Sequence, residues 1–208
     1  MKLKTVCVLG LFLLAADIQT GLCQQPPWVV YLHGGTVVPL GPSAFSDYRG
    51  PTLETGLGVG FPVSERFQVL VGVDHAEHPM DKQAVMDETG LSASDLEKAG
   101  GRASWWTTTL GLRAISRRAL IGRAVPYVHG NLAFVSLTGS ELPPYVESAT
   151  FDPNSVKVSH KAPGLVLGAG LEFDAGEHLR FYVEGRLTVG IRDETSAFLP
   201  LVAGISYR

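Results

Sequence analysis

From residue 28 onward, bulky apolar residues alternate with small or polar residues, and turn residues interrupt this pattern repeatedly. Period-two alternation places every second side chain on one face of an extended chain, so the pattern predicts strands. We predict eight of them, over residues 28–38, 52–61, 67–75, 104–115, 125–135, 164–173, 179–189 and 197–207. The only helix indicated lies at 93–99, where Ser94 and Glu97 have the spacing of a capping box.

The lengths of the strands and of their connections point to a membrane barrel. Strands of about 9–11 residues suit a tilted crossing of a bilayer, whereas most strands in soluble sheets have about 5–6. Long connections at 39–51, 76–103 and 136–163 alternate with shorter ones, of which 62–66 and 174–178 are the briefest. A meander with one rim outside the cell and one in the periplasm shows this alternation. We therefore predict an all-β fold, an eight-stranded antiparallel up-and-down transmembrane β-barrel.

Glycine indicates which face of each strand points inward. The chain has 24 glycines, and between residues 53 and 61 Gly56, Gly58 and Gly60 lie opposite a bulky face. Glycine weakens a strand that faces water, but it suits the interior of an eight-stranded barrel, which has little room for side chains. The bulky face should therefore meet lipid.

Aromatic residues near the strand ends support this orientation, since interfacial girdles of aromatic residues are typical of transmembrane barrels. On the side of the short turns they are Phe61, Phe67, Tyr127, Phe173, Phe181, Tyr182 and Tyr207, and on the other side Trp105, Trp106, Phe134 and Phe198.

Charged residues share the face that carries the glycines. Because a low-dielectric interior requires buried charges to pair, we hypothesise an ion-pair network in the lumen formed by Arg113, Glu172, Glu184 and Arg186. Replacing Glu184 with leucine should then lower the melting temperature in detergent. Both faces of the first strand look apolar, so the direction of His33 stays open.

The N-terminus has the features of a secretory signal peptide at 1–23, followed by a barrel domain at 24–208. Two lysines precede an apolar stretch at 5–16, which is too short to span a bilayer as a helix. We place cleavage after Cys23, with cuts after Ala16 or Thr20 as alternatives. Cleavage at Cys23 would remove both cysteines of the chain. The net charge of −3 does not favour nucleic acid as a partner.

Several stretches resemble the small bacterial outer-membrane β-barrel proteins of the OmpA/OmpX type. They are HGGTVVPLGPSAFSDYRGP, TGLGVGF, PYVHGNLAF, GLVLGAGLEF and LPLVAGISYR. The resemblance implies a location in the outer membrane, outer-membrane lipids as surroundings and insertion by the outer-membrane assembly machinery. That machinery usually recognises a final aromatic residue, whereas here Tyr207 is followed by Arg208. The extracellular partner is open.

Two groups of residues could carry chemistry. His75, Glu77, His78 and Asp81 include common metal ligands, but they lie in a predicted exposed loop, so we assign no metal to them. His129 and Ser136 would suit a lipid-modifying enzyme, but no third catalytic residue accompanies them at a clear spacing.

We therefore expect no catalysis and no cofactor. The predicted role is structural, adhesive or in surface interaction, with a filled polar lumen rather than a wide pore. The alternatives are an outer-membrane lipid-modifying enzyme and a secreted lipocalin-like barrel that binds an apolar ligand. The lipocalin-like barrel would point Leu57, Val71 and Leu167 inward.

Overall fold

Eight antiparallel strands close into a barrel in the computed structural model of this chain, and each strand pairs with its neighbours in sequence. The strands are β1 (Val29–Gly41), β2 (Thr52–Pro62), β3 (Phe67–Pro79), β4 (Arg102–Ile115), β5 (Ala124–Ser140), β6 (Lys157–Asp174), β7 (Leu179–Gly190) and β8 (Ser196–Tyr207). Pairing of β1 with β8 closes the barrel, with Val30 opposite Tyr207. The predicted fold class is confirmed.

The structure describes residues 28–41, 46, 49–89, 92–94, 102–116, 124–140, 157–191 and 196–208. The predicted signal peptide at 1–23 lies outside these residues, so the division at residue 23 stays a prediction. Within the described residues, no helix is long and apolar enough to cross a membrane.

Several strands extend further than predicted toward the rim that carries the long connections, which we call the long-loop rim. Strand β3 continues to Pro79, and β5 and β6 pair as far as Ser140 and Lys157. Before Gly164, β6 has no partner in β7, so among the described residues its segment 157–163 pairs with β5 alone. The connections predicted at 76–103 and 136–163 are therefore partly strand. Their alternation is weak in the sequence because outward-facing residues there, such as Glu77 and Lys161, are polar, although Ala76 and Leu137 on the inward face are buried.

A helix, α1 (Lys82–Thr89), lies in the connection between β3 and β4. Asp81 caps it, because its Oδ1 accepts hydrogen bonds from the backbone N–H groups of Gln83 and Ala84, both at 3.1 Å. Val85 anchors the helix and is fully buried. The sequence did not predict this helix, so the expectation of a single helix is wrong. Of the helix predicted at 93–99, Ala93 and Ser94 are helical, and residues 95–99 lie outside the described part of the chain.

The bulky faces of the strands point away from the lumen, as the glycine pattern predicts. Leu57 is 58% exposed and Leu167 is 59% exposed, whereas Glu54 and Arg113 on the opposite face are buried. Val71 also points outward. The lipocalin-like alternative required Leu57, Val71 and Leu167 inside, and the structure contradicts it. His33, which the sequence left open, points into the lumen.

The aromatic girdles contain fewer residues than predicted. Tyr127, Tyr182, Trp105 and Phe198 are buried inside the barrel. Trp105 and Trp106 are consecutive strand residues and so must face opposite sides. The predicted girdle residues that do face outward are Phe61, Phe67, Phe173, Phe181 and Tyr207 toward the short turns, with Trp106 and Phe134 toward the long-loop rim.

The barrel interior is divided into an apolar part and a polar part. The apolar part, which we call the plug, consists of Val37, Ala76, Ala103, Trp105, Ala133, Val135, Leu137, Val166 and Phe198. These residues lie in the halves of the strands nearer the long-loop rim. The rest of the lumen carries charged and aromatic side chains, and the candidate site lies there.

Candidate functional site in the lumen

One cluster of the lumen is built around Arg113 of β4. Its Nη2 lies 3.1 Å from Glu172 Oε1, and both side chains are 2% exposed. Arg113 Nη1 donates to Tyr31 Oη at 2.7 Å, and the guanidinium lies 3.5 Å from the centroid of the Tyr127 ring. Arg180 Nη1 contacts the second oxygen of Glu172 at 3.2 Å. We call this group the Arg113 cluster.

A second cluster is built around Arg186 of β7. Its Nε donates to Glu184 Oε1, and its Nη1 lies 3.0 Å from Asp74 Oδ1. His33 Nε2 lies 2.6 Å from that same oxygen of Asp74. His129 Nε2 lies 3.1 Å from Glu184 Oε1. We call this group the Arg186 cluster, and it also includes Glu54.

The structure thus places the four hypothesised residues in two clusters rather than in one network. Arg113 pairs with Glu172 and Arg186 pairs with Glu184. The hypothesis omitted His33, Asp74 and His129. Face parity was the available signal, because Asp74 shares a strand face with Gly72, but parity alone does not reveal which side chains meet.

Glycines provide the space in which these long side chains meet. Gly56 stands between His33 and Asp74 in the register of β1, β2 and β3. A Cβ atom at Gly56 would collide with Asp74 Oδ1 and His33 Nε2, and a Cβ atom at Gly168 would collide with the His129 ring. These inward-facing glycines therefore leave the space that side chains of the neighbouring strands occupy.

Little empty volume remains between the clusters. A cavity of about 60 Å³ is lined by residues of both clusters, including His33, Arg113 and Arg186. This volume holds a few water molecules, since one water needs about 10–15 Å³. In this part of the described chain the lumen is a packed polar core.

The four residues considered as metal ligands near 75–81 do not converge. Because they belong largely to β3, alternate residues face opposite sides. His75 packs outward with its ring 4.2 Å from that of Trp106, and the exposed Glu77 pairs with Arg102 at 3.5 Å. His78 is fully buried beside Trp105, and Asp81 caps α1. The expectation of a solvated loop is wrong for the part that forms strand.

His129 and Ser136 also lie on opposite faces of β5. His129 points into the lumen, where its Nδ1 accepts a hydrogen bond from Asn131 Nδ2 at 3.0 Å. Ser136 has the outward parity shared by Leu132 and Phe134. The two residues do not form a nucleophile and base pair.

Comparison with known proteins agrees on the fold. No protein-family model matches the sequence, and no curated protein matches it. Among solved structures, Neisserial surface protein A aligns over 88% of this chain and 97% of its own, with a TM-score of 0.55 and 10% identity. The outer membrane protein OprG from Pseudomonas aeruginosa aligns over 88% and 96%, with a TM-score of 0.56 and 11% identity. This chain has the fold of the eight-stranded outer-membrane β-barrels. The resemblance seen in the sequence is confirmed at the level of fold.

Proposed function

We propose that the chain is an integral outer-membrane protein whose rigid barrel holds a surface-exposed rim for structural, adhesive or other surface interactions. The observation that carries this proposal is the distribution of apolar and charged side chains between the outside and the inside of the barrel. Leucines such as Leu57, Leu132 and Leu167 cover the outside, and the buried charges lie inside. An apolar outer surface around a polar interior is stable in lipid and would aggregate in water.

The interior favours a scaffold over a general pore. The plug and the two charged clusters fill the described lumen, and a cavity of about 60 Å³ remains between the clusters. Eight-stranded barrels generally enclose side chains rather than a channel. The separation of His129 from Ser136 argues against a lipid-modifying enzyme that uses this pair.

The long-loop rim supports a role in surface interaction. Among the described residues, segment 157–163 of β6 pairs with β5 on one side, and on its other side the carbonyl of Pro163 accepts a hydrogen bond from the Ile191 N–H at 2.8 Å. This segment leads into the connection between β5 and β6, and connecting segments held on a rigid scaffold often carry function. The proposed surroundings are outer-membrane lipids, with delivery by the outer-membrane assembly machinery.

Fractionation of a Gram-negative host that expresses the full chain tests this proposal. We expect the protein in the outer-membrane fraction, resistant to an alkaline wash and released only by detergent. A periplasmic soluble protein and a resident outer-membrane protein serve as controls. Recovery of the mature protein in buffer without detergent would contradict the proposal, and a changed lipid A profile on expression would favour the enzyme alternative.

A further inference from the structure

Three buried side chains from three adjacent strands bring metal-ligating atoms together inside the barrel. They are His33 of β1, Glu54 of β2 and Asp74 of β3, and their donor atoms all lie within 4.8 Å of one another. We propose that these three residues bind a divalent transition-metal ion such as Zn²⁺. One imidazole and two carboxylates form a donor set that suits such an ion.

Glu54 provides an independent indication that a ligand belongs here. The residue is 5% exposed, and its Oε1 has no hydrogen-bond partner among the described residues. Its nearest cationic atom, Arg186 Nη1, is 3.9 Å away. A buried carboxylate oxygen without a hydrogen bond is costly, so this atom is available for a ligand that the protein chain does not supply.

The second nitrogen of His33 is held as it is in metal-bound histidines. His33 Nδ1 lies 3.1 Å from Tyr182 Oη, while Nε2 points toward Asp74. Histidines that ligate metals through one nitrogen usually donate the other N–H to an oxygen atom, which fixes the ring. With a metal on Nε2, the Nδ1–H would donate to the Tyr182 hydroxyl oxygen.

The charges of the Arg186 cluster favour a divalent ion. Among the described residues the cluster has three carboxyl groups, on Glu54, Asp74 and Glu184, against one guanidinium, on Arg186. The neighbouring Arg113 cluster does not compensate, because Arg113 and Arg180 already face Glu172 and Asp174. A divalent ion cancels the remaining charge, and it requires the neutral form of a ligating imidazole.

Arg186 competes for the same place. Its Nη1 lies 3.0 Å from Asp74 Oδ1, 3.2 Å from His33 Nε2 and 3.9 Å from Glu54 Oε1, so this nitrogen stands near all three donors. Binding requires Nη1 to withdraw toward the adjoining cavity of about 60 Å³, while Nε keeps its bond to Glu184. Water in that cavity completes the coordination, as in zinc sites with three protein ligands.

Titration of the metal-free, detergent-solubilised full chain with Zn²⁺ tests the proposal by calorimetry, and Co²⁺ gives an independent absorption signal. We expect one ion per chain. Glu54→Gln should weaken binding at least tenfold, while Arg186→Gln should strengthen it by removing the competing cation. Glu177→Gln in the exposed turn 175–178 is the control and should bind as the parent does.

Opposite effects of the Glu54 and Arg186 substitutions would separate this site from adventitious binding to exposed histidines. Equal binding by the parent and Glu54→Gln would overturn the proposal, as would the absence of binding in both the parent and Arg186→Gln while each remains folded. None of these outcomes depends on the location of the protein in the cell.

Discussion

At the scale of single residues, buried charge and glycine are two parts of one arrangement. Each lumen cluster needs long side chains to meet in a narrow space, and the glycines of neighbouring strands make that space. A Cβ atom at Gly204 would lie 2.7 Å from the Tyr182 ring, and one at Gly60 would lie 2.9 Å from the Tyr31 ring. The glycine pattern in the sequence therefore reports positions of large inward side chains elsewhere in the chain.

The two clusters should respond differently to the loss of a carboxylate. Glu172→Leu leaves Arg113 without an ion-pair partner among the described residues, and breaking a buried pair in this way costs about 3–5 kcal/mol. Glu184→Leu removes the acceptor of Arg186 Nε and His129, but Arg186 keeps Asp74. Both variants should melt at a lower temperature in detergent, Glu172→Leu by the larger amount.

Glu177→Leu, in the exposed turn 175–178, is the control for this pair and should melt as the parent does. An unchanged melting temperature for Glu184→Leu would count against a stabilising role for the Arg186 cluster. If Glu184→Leu lowered the melting temperature more than Glu172→Leu did, Asp74 would not act as a second acceptor for Arg186 in solution.

At the scale of elements, the pairing of β1 with β8 closes the barrel and leaves no room for a side chain at Gly35. This glycine pairs with Val202, and a Cβ atom added to it would meet the backbone of Leu201 and lie 2.6 Å from Val202 Cα. At Gly56 the obstructing atoms are the ends of the His33 and Asp74 side chains, which can move. An added side chain should therefore be tolerated less well at Gly35, where backbone atoms obstruct it, than at Gly56, where side chains do.

Alanine substitutions should therefore rank the two glycines. Gly35→Ala should destabilise the barrel by at least the typical cost of overpacking, about 1–3 kcal/mol, and Gly56→Ala should destabilise it by less. Gly176→Ala is the control, since a Cβ atom there meets nothing within 4 Å. Thermal unfolding in detergent measures all three. Equal melting of Gly35→Ala and Gly176→Ala would show that β1 and β8 do not approach as described.

The alternation in the sequence did not predict helix α1 or the ends of strands β5 and β6. Helix α1 has no long apolar stripe, and its burial of Val85 depends on the surrounding protein. The ends of β5 and β6 extend past the band where one face is apolar, so their residues carry no alternation to read. Tertiary pairing, rather than local preference, makes them strands.

At the scale of the whole molecule, the bilayer is the solvent of the outer wall. Leu167 lies near the middle of β6, and Leu40 lies near the end of β1 at the long-loop rim. Both side chains face outward. Arginine on the lipid face costs about 2–4 kcal/mol at the bilayer midplane and about 0–1 kcal/mol near the interface.

Leu167→Arg should therefore lower stability in lipid bilayers by a few kcal/mol, while Leu40→Arg should have little effect. Reversible unfolding by denaturant from vesicles of fixed thickness gives both free energies. If the barrel instead faced water, arginine would be tolerated at both positions. Equal stability of the two variants and the parent would contradict a membrane-spanning wall.

The sequence by itself determined the number of strands, their order and, for every strand except β1, the face that meets lipid. These features are local, because period-two alternation and the placement of turns act within about ten residues. The same pattern selected Arg113, Glu172, Glu184 and Arg186 as inward charges.

Only the tertiary structure decided which of these charges meet. The contact between Arg186 and Asp74 joins residues 112 positions apart, and His33 and Tyr182 are 149 apart. Such contacts depend on the register of every strand pair and on the stagger at which β1 meets β8. The grouping of His33, Glu54 and Asp74 into one donor set arises from the register of the adjacent strands β1, β2 and β3.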